Sequence, residues 1–513
     1  MSCLPRRRLI AGPLLAALSW FVLLGGCVQP PAVPPKVEPS ADEIAARQAA
    51  DAAAVEAAAL EARVAQARQL ADEAYVYGYP LLLSEMFRQQ MSGAARPGGI
   101  RVPANSFWHA RRLPPQAEPH PLVDQADTLD SFAWLDLGRE AMLIVTPDTG
   151  RRFLGLSLHD QWTHRLAAFG TGIGDGKAVR VLLAGPEWSG PVPAGARLLR
   201  AATQHVLLTV RIQTSGSDAD LRAVRALQAQ LRLVPQTQRR GPGRVVAGTP
   251  EPAAVLRPGE TPQQRLATLD TAASFDLLAQ LLGSSAPPAA ADAPWLERIA
   301  ALGIEPGKRF AFGALEPAVQ AALADTGPRV RRRLRVYQPQ LYADVGGWQL
   351  LRPADDAGAD PLRRAAMAAA HWPGPPPAAQ MLLLRTAVDA AGRPLNGGGD
   401  YTLRFDKGRL PPVDAVWSLT LQGDADGRHS FVPNDAARIA LGTRDRLAAE
   451  TDGALVLRVQ DLSPGIDHAA YWLPAPKGDF VLTLRLYAPR RAPPSALPPG
   501  AGSWTPPSPQ RQP

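Results

Sequence analysis

Cysteine is the scarcest chemically reactive residue of this chain, with only Cys3 and Cys27 among 513 residues. Cys3 stands in an N-terminal segment that we expect to be removed, so the mature chain would keep Cys27 alone. A lone cysteine excludes an internal disulfide and a zinc site built from several cysteines. If Cys27 is itself acylated, thiol catalysis is excluded as well.

Lysine is almost as rare, because only five of the 55 basic residues are lysine, and the formal net charge is +8. A chain this rich in Arg, Ala and Pro is typical of a GC-rich genome, so we do not predict nucleic-acid binding. The one dense basic run, residues 329–335, is interpreted as a solvated face or a contact with anionic lipid headgroups.

Motifs of common enzyme classes are also missing. The sequence contains neither the Gly-x-Ser-x-Gly motif of serine hydrolases nor the His-Glu-x-x-His motif of zinc proteases. The glycine-rich stretch at residues 171–176 precedes a predicted strand, whereas a dinucleotide-binding loop leads from a strand into a helix. We therefore predict no cofactor and no metal.

The N-terminus has the pattern of a secretory signal that ends in a lipidation site. Three arginines, residues 6–8, precede an apolar run of 11 residues, Leu14 to Leu24, which is shorter than the roughly 20 residues of a membrane-spanning helix. Leu-Gly-Gly-Cys27 resembles the bacterial lipobox, in which the cysteine after the cleavage site carries acyl chains such as palmitate. The alternative is an ordinary signal peptide with an incidental cysteine. Because Val28 and not Asp follows, we expect an outer-membrane anchor, with the protein facing the periplasm.

Composition divides the rest of the chain. A proline-rich stretch precedes the capping box Ser40-x-x-Glu43, and a long Ala-rich helix should follow it, with a possible role in self-association into a homo-oligomer. The predicted segments are a signal peptide (1–26), a tether (27–39), the Ala-rich helix (40–92), a first domain (93–236), a linker and helical segment (237–330), a second domain (331–491) and a disordered proline-rich tail (492–513).

Short apolar runs with strand periodicity fill both predicted domains. Turn residues such as Pro147-Asp148-Thr149-Gly150 separate these runs, a spacing typical of sandwiches or barrels. The fold class is therefore predicted as α+β, mainly β, with two β-sandwich-like domains and a helical connection. The runs are 141–145, 153–158, 179–183, 205–210, 381–385, 401–405, 416–421, 455–459 and 480–487, and residues 218–233 are predicted as a helix.

Several of these stretches resemble the bacterial domains of unknown function 1254 and 1214. Characteristic residues of the first half are Tyr75-Val76-Tyr77-Gly78-Tyr79-Pro80, Asp127-Thr128-Leu129 and Asp160-Gln161-Trp162-Thr163. Those of the second half are Val416-Trp417-Ser418-Leu419-Thr420 and Arg485-Leu486-Tyr487. The resemblance implies two β-sandwich-like domains joined by helices, and it implies no settled activity. The chain departs from the family pattern at Ala126 and at Asp130-Ser131, which puts a family site there in doubt.

The densest polar cluster comes directly after a predicted strand. If His159 ends that strand and His164 begins a helix, both could meet Asp127, and Asp160 lies between them. Two histidines and a carboxylate could bind a metal or transfer protons, which makes these four residues weak catalytic candidates. The competing interpretation is a hydrogen-bonded corner of the sandwich, in which the Asp160 carboxylate accepts backbone donors of the following turn.

Two functions remain open at this level. The preferred one is a non-catalytic cell-envelope lipoprotein, anchored through Cys27, whose paired sandwiches bind a small molecule, a glycan or a partner. The alternative is a periplasmic hydrolase or metal-assisted enzyme with its site between the two domains. The missing nucleophile motifs favour the first.

Overall fold

The computed structural model describes residues 40–93, 100–114, 122, 125–138, 140–173, 177–236, 260–285, 292–353, 360–425 and 428–513. Cys27, the signal peptide, the tether and most of the predicted linker lie outside the described residues. The chain divides into two compact units, Met1–Leu60 and Glu61–Pro513. No helix among the described residues is both long and apolar enough to cross a membrane.

A single helix, α1 (Ala41–Met91), coincides almost residue for residue with the predicted Ala-rich helix. Its capping box is present, since Ser40 Oγ accepts from the Glu43 amide and Glu43 Oε2 accepts from the Ser40 amide, at 3.2 and 2.8 Å. Burial begins at Ala71 and is continuous from Ala74 to Phe87. The helix therefore changes from an exposed rod to a core element where its large apolar residues begin, as the sequence predicts.

The first domain is a sandwich of two sheets, as predicted. A five-stranded sheet has the order β1-β2-β8-β4-β5, a four-stranded sheet has the order β7-β6-β3-β9, and apolar side chains of both fill the space between them. The strands are β1 (Trp108–His109), β2 (Thr128–Asp136), β3 (Ala141–Val145), β4 (Leu154–Asp160), β5 (Arg165–Gly170), β6 (Arg180–Ala184), β7 (Arg197–Arg200), β8 (His205–Gln213) and β9 (Arg232–Gln236).

The helix predicted at 218–233 is shorter in the structure. Helix α2 (Asp218–Gln228) begins at the Ser217 cap and ends five residues earlier than expected. Residues after it form β9, which pairs with β3 along its full length. The pairing of β9 with a strand some ninety residues away overrides the local helical pattern, since β propensity depends on its partners.

A layer of helices packs with the buried half of α1 against the five-stranded sheet. Phe132, Trp134 and Leu207 point from that sheet into this core, and Trp162 joins them from the turn after β4. The helices are α3 (Pro262–Thr268), α4 (Thr271–Ser284), α5 (Ala293–Ala300), α6 (Pro317–Leu323), α7 (Thr326–Tyr337) and α8 (Pro361–His371).

The second domain is also a sandwich. A seven-stranded sheet has the order β10-β11-β12-β19-β14-β15, with β16 also on β14, and it packs on a four-stranded sheet of order β18-β17-β13-β20. The strands are β10 (Tyr342–Val345), β11 (Trp348–Leu351), β12 (Met381–Thr386), β13 (Tyr401–Phe405), β14 (Trp417–Ala425), β15 (Arg428–Ser430), β16 (Ala440–Gly442), β17 (Leu455–Gln460), β18 (Trp472–Pro474), β19 (Phe480–Tyr487) and β20 (Gln510–Arg511).

The C-terminal tail, residues 492–513, is not disordered, and here the sequence prediction is wrong. Trp504 is 2% exposed within the core of the second domain, and its indole Nε1 donates to the carbonyl of Arg409 at 2.8 Å. Strand β20 adds to the edge of β13. Prolines pre-set extended backbone, and the large apolar surface of Trp504 packs that backbone on the core. The second domain therefore continues past residue 491 to the C-terminus.

Candidate functional site

The four residues proposed from the sequence do not come together. His159 and Asp160 end β4, and His164 directly precedes β5, so the segment between is a hairpin turn and not the start of a helix. Asp127 directly precedes β2 and accepts through its carbonyl from the amide of Thr214, the residue after β8, whereas His159 pairs with Leu207 of β8. Seven residues separate Thr214 from Leu207, which is roughly 23 Å at 3.3 Å per residue.

Asp160 organises the hairpin turn. Its side chain is almost fully buried, and Oδ1 accepts from the backbone amides of Trp162 and His164 at 2.9 and 2.8 Å. The turn also contains Thr163 with φ of +68°, a strained value for a β-branched residue. These are the backbone donors that the hydrogen-bonded-corner interpretation requires.

We expect Asp160→Ala to lower the free energy of unfolding by about 2 kcal/mol, because two buried amides lose their acceptor at ~1–3 kcal/mol each and water replaces part of the loss. A thermal melt of the purified variant measures this. The matched control is His164→Ala, whose side chain is one third exposed. Equal melting temperatures of the two variants would contradict a structural role for Asp160.

His159 is a neutral, buried side chain. It is 3% exposed, and neither ring nitrogen has a hydrogen-bond partner within the described part of the chain. Burial is the main reason why its pKa is lowered to about 3. The neighbouring charges of Arg165, Arg211 and His164 lower the pKa further. Among the described residues, no group of three or more His, Cys, Asp or Glu side chains could hold a metal ion. The hairpin therefore has the properties of a packed corner.

Asp127 instead joins the two sandwiches. Its Oδ2 accepts from Ser418 Oγ at 2.6 Å and from the Tyr487 hydroxyl at 3.1 Å, and Arg444 Nη1 lies 3.9 Å from Oδ1. Burial, and next the Asp127 charge, raise the pKa of Tyr487 well above its usual range. The phenol therefore keeps its proton and remains a donor to Asp127.

The sheet surfaces near this contact are polar although they are buried. On the five-stranded sheet, Asp130 faces Arg211 across the β2–β8 pair. On the seven-stranded sheet, Ser418 and Arg485 are cross-strand partners, as are Thr420 and Thr483. Most of these side chains are less than 3% exposed, and burying polar groups is costly unless they are paired. Near this contact, each sheet therefore presents polar side chains on the face that points away from the interior of its own sandwich.

That space contains a cleft of about 230 Å³. Three arginines reach it from three different strands: Arg211 from β8, Arg385 from β12 and Arg485 from β19. Arg485 is 1% exposed and donates through Nη1 to Thr420 Oγ1 at 2.8 Å. Among the described residues that line the cleft, none is Asp or Glu. The carboxylate of Asp130 lies 3.6 Å from Arg211 Nε.

One wall of the cleft carries a hydrogen-bonded pair of a tyrosine and a histidine. The Tyr342 hydroxyl lies 2.6 Å from Nε2 of His371, which ends α8 and lines the cleft. Burial raises the pKa of Tyr342, and the charge of Arg385 partly opposes this. The phenol therefore keeps its proton and lies within hydrogen-bond distance of the imidazole.

Sequence reasoning missed the three arginines of the cleft. Arg385 and Arg485 stand inside strands that were recognised for their apolar residues, and Arg211 follows the predicted run 205–210 directly. The sequence feature that could have identified them is a cationic residue within an otherwise apolar strand, because charged residues are rarely buried. What the sequence could not supply was their convergence, because the strands come from two domains.

Comparison with known proteins agrees with this architecture. Residues 104–235 match the protein of unknown function family DUF1254, and residues 380–491 match the protein of unknown function family DUF1214, which confirms the predicted pair of domains. No curated protein matches the chain.

The VPA0106 protein from Vibrio parahaemolyticus is similar in fold, with a TM-score of 0.62 and 22% identity over 87% of this chain and 100% of that chain. An uncharacterized protein from Burkholderia cenocepacia aligns with 88% of this chain and 96% of that chain, at 13% identity and a TM-score of 0.38.

Proposed function

We propose that this chain, which pairs two domains of unknown function, is a cell-envelope lipoprotein that binds a small anionic molecule in the cleft between its sandwiches. The observation that carries this proposal is the convergence of three cationic side chains, Arg211, Arg385 and Arg485, on one cleft. Arginine forms two parallel hydrogen bonds with carboxylate or phosphate oxygens, so it suits an anion better than a neutral ligand.

The membrane anchor in this proposal rests on the sequence before Cys27. We expect Cys27→Ala to move the protein from the membrane fraction to the soluble periplasmic fraction, because the acyl chains would be lost. Fractionation of cells that express either form measures this. A variant that still needs detergent at the wild-type level would contradict the anchor and leave the cleft proposal intact.

The binding proposal is tested with Arg385→Gln. Arg385 is preferred to Arg485 because it is less buried, so its substitution endangers folding less. A thermal-shift screen with small organic anions, each beside its uncharged amide, should find an anion that stabilises the wild type and an amide that does not. Arg385→Gln removes one charge-assisted contact, worth ~1.5–3 kcal/mol. The variant should therefore bind that anion with roughly 10- to 100-fold lower affinity.

The control for this experiment is Arg404→Gln, because Arg404 belongs to the same domain, is 44% exposed and does not line the cleft. Arg404→Gln should keep the wild-type response. The proposal is overturned if no anion is distinguished from its amide, or if Arg385→Gln binds as tightly as the wild type.

A second candidate function, a hydrolase that uses the same cleft, has one observation in its favour. His371 lies within hydrogen-bond distance of Tyr342 on the cleft wall, and a neutral imidazole can act as a general base. A His371→Gln variant that binds the anion normally, while the wild type converts a bound ester and the variant does not, would favour the enzyme.

A further inference from the structure

We infer that the second domain contains a separate binding site, a cavity beneath the C-terminal tail that takes a small, uncharged and largely apolar molecule such as a one-ring or two-ring aromatic compound. The cavity has a volume of about 250 Å³. Leu384 of β12 lines this cavity, whereas the neighbouring Leu383 and Arg385 line the cleft between the domains. Successive side chains of a strand point to opposite faces, so the two sites lie on opposite sides of the seven-stranded sheet. The inference therefore goes beyond the proposed function and does not depend on it.

The walls of the cavity are apolar side chains from the core of the second domain. The sheet contributes Leu350, Leu382 and Leu384, and the tail contributes Ala496 and Trp504. Each of these residues is at most 8% exposed. A guest that enters this space exchanges water for hydrocarbon, which favours an apolar molecule.

The polar atoms of the tail around the cavity are already used in hydrogen bonds. Trp504 donates its indole Nε1 to the carbonyl of Arg409 at 2.8 Å and its amide to the carbonyl of Ser495 at 2.9 Å. The Ser495 hydroxyl donates to the carbonyl of Arg490 and accepts from the amide of Leu497. Because these groups have partners within the tail and its neighbours, they offer little to a polar ligand.

The charges around the cavity disfavour an ionic ligand. Among the described residues that line it, Asp344 alone carries a charge, and this residue is exposed at the rim. An anion would meet this carboxylate and no cation of that lining. A cation that passed the rim would leave the carboxylate behind, and the burial of an unpaired charge is costly.

The size and the rim of the cavity suit a small guest. Protein interiors contain few voids larger than a water molecule, and apolar cavities of ~150 Å³ bind benzene. At about 250 Å³, this cavity has room for one or two rings. Gly346 of the β10–β11 turn and Gly500 of the tail are both exposed lining residues, and neither has a side chain that could obstruct entry.

The ligand class is tested by isothermal titration calorimetry of the full-length protein with toluene as the probe. We expect saturable binding of toluene. Its Kd should stay unchanged when benzoate or benzylamine, which carry a negative or a positive charge on the same ring, is present in roughly tenfold excess, because a charged group is costly to bury there. Displacement of toluene by either ion would overturn the assignment of an uncharged ligand.

The position of the site is tested by two substitutions that fill the cavity from different walls. Ala496→Leu enlarges a side chain of the tail, and Leu384→Phe enlarges one of the sheet. Each should lower the affinity for toluene by roughly tenfold or more, because the added atoms occupy the space of the guest. Ala448→Leu is the matched control, since Ala448 is exposed in the same domain and does not line the cavity. Arg385→Gln, on the side of the cleft, should also leave toluene binding unchanged.

The outcomes separate this inference from the proposed function. If the wild type does not bind toluene, or if the filling variants that circular dichroism shows to be folded bind it as tightly as the wild type, the cavity site is wrong and the anion proposal stands. Loss of toluene binding in Arg385→Gln, but in neither filling variant, would place the guest in the cleft and overturn the inference as well. If one filling variant fails to fold, the other decides, and the competition with benzoate and benzylamine depends on neither.

Discussion

Trp504→Ala is expected to lower the free energy of unfolding by about 3–5 kcal/mol, the usual cost of removing a buried tryptophan side chain. Trp504 is 2% exposed, and its indole N–H is held by the carbonyl of Arg409. The same tail segment contributes the carbonyl of Pro507, which accepts from Trp348 Nε1 at 3.0 Å. Loss of the Trp504 side chain therefore leaves a cavity. It also loosens the segment whose Pro507 carbonyl accepts the hydrogen bond from Trp348 Nε1.

Urea denaturation of Trp504→Ala, followed by circular dichroism, measures this loss. Ile466→Ala is the matched control, because Ile466 belongs to the same domain and is 90% exposed. Substitutions at such surface positions usually change stability by less than ~0.5 kcal/mol. Identical unfolding midpoints for the two variants would show that the tail is not part of the core.

Acidification from pH 7.5 to pH 5 should lower the free energy of unfolding by about 2 kcal/mol for each fully buried neutral histidine. The loss amounts to about 1.36 kcal/mol for each pH unit below the unfolded pKa of about 6.5. Among the residues that the structure describes, two histidines are of this kind: His159, whose pKa is lowered to about 3, and His205, whose pKa is lowered to about 4. Burial is the main cause for both. Arg88 lowers the pKa of His205 further, whereas Asp136 and Glu85 act in the opposite direction.

The sign follows from proton binding. Between the folded pKa and the unfolded value near 6.5, the unfolded chain binds a proton that the folded chain does not, so stability rises with pH. The stabilisation is complete above about pH 6.5 and is lost as the pH falls toward 3 for His159 and toward 4 for His205.

Denaturant unfolding of the wild type and of His159→Leu at both pH values tests this expectation. The variant should show a pH difference smaller by about 2 kcal/mol, because leucine cannot take up the proton. His468→Leu is the control, since His468 is exposed and its loss should leave the difference unchanged. An unchanged pH difference in His159→Leu would mean that His159 is accessible to protons in the folded state.

Much of the local structure follows from the sequence. The capping box at Ser40, the burial that begins near Ala71 and the strand 480–487 appear in the structure where the pattern places them. Capping and apolar periodicity act over a few residues, so the sequence alone contains the information. The acceptor role of Asp160 belongs to the same class, because its donors are two and four residues away.

The candidate site, in contrast, was decided by tertiary structure. Asp127 and His159 are 32 positions apart in the chain, and only the strand register shows that they lie at opposite ends of one sheet. Arg211 and Arg485 belong to different domains, and they line the same cleft only because the two domains pack together. In the tail, Trp504 is a core residue because it packs against side chains of the second sandwich that are far from it in sequence. Periodicity identifies which residues are buried, but register and domain packing, which arise from contacts far apart in sequence, determine which of them meet.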